Sequence, residues 1–122
     1  MIAETEPEAL GVTVLRRIAG VWEDPDGLAA WLGLLRTAVA DERAAAMLRE
    51  FLASAILAPV AARLGSDDAV RRVSLAASQI VGLGIARYVI RLEPLASAPM
   101  DEVIASVAPT LQRYLTGDVA TA

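Results

Sequence analysis

The chain contains no cysteine, no histidine and no lysine. Without cysteine there is no disulfide, no thiolate nucleophile and no cysteine–metal site. Without histidine the commonest general base and the commonest metal ligand are gone. Ser54, Ser66, Ser74, Ser78, Ser97 and Ser106 therefore have no imidazole to activate them. Without lysine there is no Schiff base and no phosphate-loop lysine, and all eleven positive charges are arginine. Aromatics are scarce, at two Trp, two Tyr and one Phe. The core must be built from small aliphatic side chains on closely approaching helices. Basic clusters are missing as well. Arg16-Arg17 and Arg71-Arg72 are too short to hold a phosphate backbone, and the net charge is −4, so this chain alone is not expected to bind DNA. Glu4, Glu6 and Glu8 stand where a secretory signal needs an apolar run. The central uncharged run Val73–Ala86 is short for a bilayer and carries Gln79. The expectation is a soluble cytoplasmic chain with no membrane contact.

What remains is an Ala- and Leu-rich sequence, 56% apolar, with few β-branched runs to oppose helix. Its 122 residues suit one domain, with no linker or internal repeat to divide residues 1–122. Five helical segments and no strand can be read. The first covers Glu6–Trp22, with Leu10, Val14, Leu15, Ile18, Val21 and Trp22 at 3- and 4-residue spacing. Asp24 caps the second, Pro25–Ala40, with Pro25 in its first position. The third runs Asp41–Leu64 with a stripe of Met47, Leu48, Phe51, Leu52, Ala55 and Ile56. Pro59 should kink it and Gly65 should end it in a left-handed conformation. Ser66, Asp67 and Asp68 read as the start of a fourth segment over 67–92, ended ahead of Pro94. The fifth spans 99–115, with Asp101 and Glu102 in its first turn and Gly117 beyond its end.

The fourth segment is apolar on nearly every side. On a 100° wheel, Ala77, Ile80, Val81, Gly84 and Tyr88 fall within about 80° of Val73, while Leu75, Ala86, Val89 and Ile90 lie on the far side and Leu83 on the flank between them. Two apolar faces need two covers, and a second copy of the chain is the natural second cover.

No catalytic constellation stands out. Acids gather at Glu4/Glu6/Glu8, Glu23/Asp24/Asp26, Asp41/Glu42, Asp67/Asp68 and Asp101/Glu102, mostly at helix starts, where capping and the helix dipole explain them. They lack the spacing of a carboxylate metal site. Gly82-Leu83-Gly84 lies inside a helix, not in a strand–turn–helix phosphate loop. Small residues there suit a close helix approach that offsets the roughly 1 kcal/mol a helical glycine costs. Trp22, Trp31 and Phe51 are core residues or pocket walls. Arg87 and Arg91 interrupt the fourth segment one turn apart. They can pair with Glu93 or Glu102, cross to a partner chain, or hold an anionic ligand.

The run ASQIVGLGIARYVIRLEPLASAPMDEVIASVAPTLQRYLTG, Ala77–Gly117, resembles the C-terminal regulatory domain of TetR/AcrR-family transcriptional regulators of actinobacterial type. The pieces VWEDPD (Val21–Asp26), LLRTAVAD (Leu34–Asp41) and MLREFLASAILAPVAARLG (Met47–Gly65) fit the same domain. The resemblance implies an all-α bundle whose last two long helices form a four-helix dimer interface with a second copy. It implies effector sensing and dimerisation in a regulator, usually a repressor. DNA binding would belong to a helix-turn-helix domain that these residues lack, since nothing before Glu6 supplies three helices. The expected interface is Val73, Ala77, Ile80, Val81, Gly84, Tyr88, Val103, Val107, Leu111 and Tyr114. The expected pocket, for a small hydrophobic effector, is Trp22, Trp31, Met47, Phe51 and Ile56. No cofactor, metal or catalytic residue is expected. The alternative is a ligand-free helical module that homodimerises or forms mixed dimers with a full-length regulator.

Overall fold

The structure, a computed structural model, describes residue 2 and residues 4–120. Five helices and no strand are present among them. A 3-10 turn, Pro7–Ala9, leads into α1, Leu10–Glu23. Then come α2, Pro25–Ala40, and α3, Glu42–Leu64, which passes through a π segment at Ala53–Leu57. Helix α4, Ala69–Ile90, closes with a π segment at Ile85–Ile90, and α5 spans Met100–Thr116.

The breaks follow local chemistry. Asp24 Oδ2 accepts from Gly27 N at 2.8 Å, and Asp41 Oδ1 accepts from Arg43 N at 3.0 Å, so both helices of the α2–α3 hairpin are capped by carboxylates. The π segment of α3 ends just before Pro59, where a proline has no N–H to give and the hydrogen-bond register widens. Gly65 then ends α3 with φ +66°. The start of α4 has no side-chain cap. The helix begins at Ala69, and Ser66 contributes its carbonyl to Ala69 N. The Asp68 carboxylate instead takes Arg72 Nε at 2.8 Å. That guanidinium holds the Asp68 carboxyl below its ordinary value of 3.8, and a hydrogen bond from Ser66 acts in the same sense.

Four elements make a base: α1, the lower part of α3, α4 and α5. Trp22, Leu10, Leu15, Leu111 and Val60 are its largest fully buried side chains. Helix α1 lies closest to α5. A Cβ on Gly11 would stand 2.8 Å from Ala108 O and from Gln112 N, so only glycine allows this approach. Gln112 then closes the start of α1, accepting from Gly11 N at 2.8 Å and donating to Pro7 O at 2.8 Å. Arg72 ties α4 to the end of α5 through Tyr114 O at 3.0 Å and Gly117 O at 2.8 Å. These long-range bonds are absent from any sequence periodicity.

The α2–α3 hairpin is an arm on this base. No residue between 25 and 57 is buried. Leu28 and Trp31 of α2 touch the core, while Val39, Met47 and Phe51 stand in solvent at 90%, 64% and 54% exposure.

Candidate functional site

The arm meets the base at an aromatic cluster. Trp22 of α1 stacks edge to face with Trp31 of α2 at 5.4 Å and with Tyr88 of α4 at 5.6 Å. Gly84 is the floor of this cluster. A Cβ there would run into Trp31 Cη2 and would stand 2.7 Å from Trp31 Cζ2 and 2.9 Å from Trp22 Cζ2. The glycine inside α4 is thus a seat for two indoles of the same chain, and the cost it imposes on the helix is offset by their packing.

Two clefts adjoin the cluster, both between α2 and the end of α4, and Leu32 lines both. One, of about 320 Å³, is apolar and runs past Leu35, Val39, Ile85 and Val89, with Arg36 at its side. The other, of about 390 Å³, is walled by Leu28, Leu32 and Ala96 and carries Arg87, Tyr88, Arg91, Glu93 and Ser97. In the second cleft the Arg87 guanidinium lies 5.5 Å from the Tyr88 ring centre and donates from Nη1 to Leu95 O at 2.6 Å. Its Nε is buried with no hydrogen-bond partner. Neither Arg87 nor Arg91 forms an ion pair among the described residues, whereas Arg49 pairs with Glu42 and Arg72 with Asp68. Glu93 accepts from Ser97 N at 2.8 Å and from the Ser97 hydroxyl. The expected pairing of the two arginines with Glu93 or Glu102 is therefore not realised. Arg91 ends α4 with φ +57°, a left-handed conformation that glycine usually supplies.

The five expected pocket residues do not enclose one cavity. Trp22 and Trp31 pack against each other, Met47 and Phe51 project into solvent, and Ile56 borders a cavity of about 10 Å³ with Val60, Val73 and Ala77. That cavity is roughly the space of one water. The reason lies in the hairpin: Met47 and Phe51 sit on the outer part of α3, away from the core that Trp22 enters.

Of the ten expected interface residues, five are buried within the single chain and five are half-buried. Val73, Ile80, Gly84, Val103 and Leu111 are buried within the single chain. Tyr88, Val107 and Tyr114 pack against the same core, and Ala77 lines the small cavity beside α3. Val81 is half-buried. Periodicity finds two apolar sides of α4 but cannot say which one turns inward. The chain spends the Val73 side on its own core. The opposite side is left incompletely covered: Leu75 and Ala86 are half-buried, Gly82 is exposed, and Val89 and Ile90 are 56% and 65% exposed, while Leu83 packs against the core.

Among the described residues no group of three or more acidic side chains could hold a metal ion. A family model described as "Tetracyclin repressor-like, C-terminal domain" matches residues 8–115. No curated protein and no solved structure matches the chain.

Proposed function

This chain belongs to the family of tetracyclin repressor-like C-terminal domains, and from that premise we propose that it is the effector-sensing and dimerising part of a cytoplasmic transcriptional repressor. Operator binding would belong to a part of the parent protein outside these residues. The carrying observation is the outward side of α4, where Leu75 and Ala86 remain half-covered beside the exposed Gly82 and Val89. A second copy packed there, against α4 and α5, would supply the missing cover. The seam is thereby moved from the Val73 side, which the core occupies, to the opposite side of the same helix.

Sedimentation equilibrium at micromolar concentration tests this reading. A dimer is expected. Gly82→Arg should give a folded monomer, because a Cβ at Gly82 meets nothing within 4 Å in the chain. A monomeric parent chain overturns the reading.

The second reading is the ligand-free interaction module. The solid packing of Trp22 and Trp31, where a hydrophobic pocket was expected, favours it. In that case the base would dimerise, and no small molecule would alter the fluorescence of the two indoles.

A further inference from the structure

We propose that the cleft between α2 and the end of α4 binds a small amphipathic monocarboxylate, with Arg87 and Arg91 holding the carboxylate and Leu28, Leu32 and Tyr88 the apolar body. The proposal rests on the effector-sensing reading and gives that effector a place and a chemistry.

Cations near the end of a helix are ordinary, because the last carbonyls attract them. That explains the Arg87 bond to Leu95 O. It leaves the buried Arg87 Nε unpartnered. That nitrogen is closed to solvent, so a ligand carboxylate would meet the guanidinium through its Nη nitrogens, of which only Nη1 has a hydrogen bond among the described residues. Arg91 stands at the rim of the same cleft with no ion pair. Its φ of +57° costs backbone energy that glycine would avoid. Glu93 shares the lining but is turned to Ser97. Two arginines and one carboxylate leave a net charge of +1, which fits one carboxylate better than a di- or triphosphate. Leu28, Leu32, Ala96 and the Tyr88 ring give the lining an apolar part beside Ser97, and a cleft of about 390 Å³ suits a body the size of a medium acyl or aryl group.

The position also connects the cleft to the signal. Leu28 and Leu32 belong to the arm, whereas Arg87, Tyr88 and Arg91 end the helix that carries the proposed seam. A ligand touching both would draw α2 onto α4. Tyr88 in turn contacts Trp22, which contacts Trp31, so both indoles report on occupancy.

The test is titration of the intact chain with octanoate, decanoate and 4-phenylbutyrate, read by tryptophan fluorescence and calorimetry, with 1-octanol and inorganic phosphate as controls. At least one acid should bind saturably, at least tenfold more tightly than octanol, while phosphate should not bind. Arg87→Gln should weaken the acid about tenfold. Arg91→Gly should weaken it similarly while leaving the fold equally or more stable, because it removes the left-handed strain together with the charge. This second variant separates a lost contact from a lost fold. Absence of binding by all three acids at millimolar concentration overturns the proposal, as does equal binding of octanol. Sedimentation of the same samples tells which idea has failed. A dimer that binds no acid sinks the cleft alone, and a monomer sinks the effector-sensing reading as well.

Discussion

Helices α3 and α4 have the same mean hydropathy over their most apolar eighteen residues, 1.5 in each, and both are long and apolar enough to cross a membrane by length and composition. Their surroundings differ. In α4, 28% of that stretch is buried; in α3, 6% is. The difference is one of layers. Helix α4 is enclosed by the lower part of α3, by α5 and by the aromatic cluster over Gly84, so Val73, Ala76 and Ile80 find partners in the chain. The upper part of α3 has only α2 beside it. A two-helix hairpin half-covers its own stripe, as at Leu48 and Leu52, and leaves Met47 and Phe51 outside. Apolar content therefore measures how much surface needs covering and says nothing of what covers it.

The sharpest contrast is between Trp22 and Phe51. Trp22 is 2% exposed in the base, so Trp22→Ala should cost about 3–5 kcal/mol in chemical denaturation. Phe51 is 54% exposed on the arm, so Phe51→Ala should stay within about 0.5 kcal/mol. Equal losses would erase the distinction between arm and base.

Two glycines give a smaller contrast. Gly11→Ala drives a methyl against the α5 backbone at Ala108 and Gln112, and should cost about 1–3 kcal/mol of global stability. Gly84→Ala meets chiefly the tip of the Trp31 ring, which the arm can carry away, leaving a contact of 2.9 Å with Trp22 Cζ2 for the base to absorb. Its main effect should be a changed tryptophan emission with a lesser loss of stability. A larger loss at Gly84 than at Gly11 would mean that the arm is fixed as firmly as the base.

The smallest effect belongs to Asp68. Its carboxyl titrates below 3.8, so its bond to Arg72 contributes above that value and is lost as the pH falls through the folded value. Asp68→Asn lacks the contribution at every pH. The gap between the two stability curves should therefore be small at pH 7 and close in acid. A gap that widens in acid would contradict the assignment.

Much of the fold was legible in the sequence because its punctuation is chemical. Asp24, Pro25, Asp41, Gly65 and Pro94 mark breaks that the structure keeps. The inward side of α4 was not legible. Its two apolar sides differ little by periodicity, and the choice is made by Trp31, Trp22 and Leu111, which are distant in sequence. The bonds of Gln112 to α1 and of Arg72 to the end of α5 are equally non-local. The Arg87–Arg91 spacing was the visible trace of the cleft, and its neighbours Leu28 and Leu32 became apparent only when α2 folded over it.

Hydrogen exchange by mass spectrometry on the unliganded chain tests the division between arm and base most directly. Backbone amides of residues 28–52 should exchange well before those of residues 13–22, 73–84 and 103–115, because the hairpin can open without exposing the core. Uniform protection across all four stretches would contradict it.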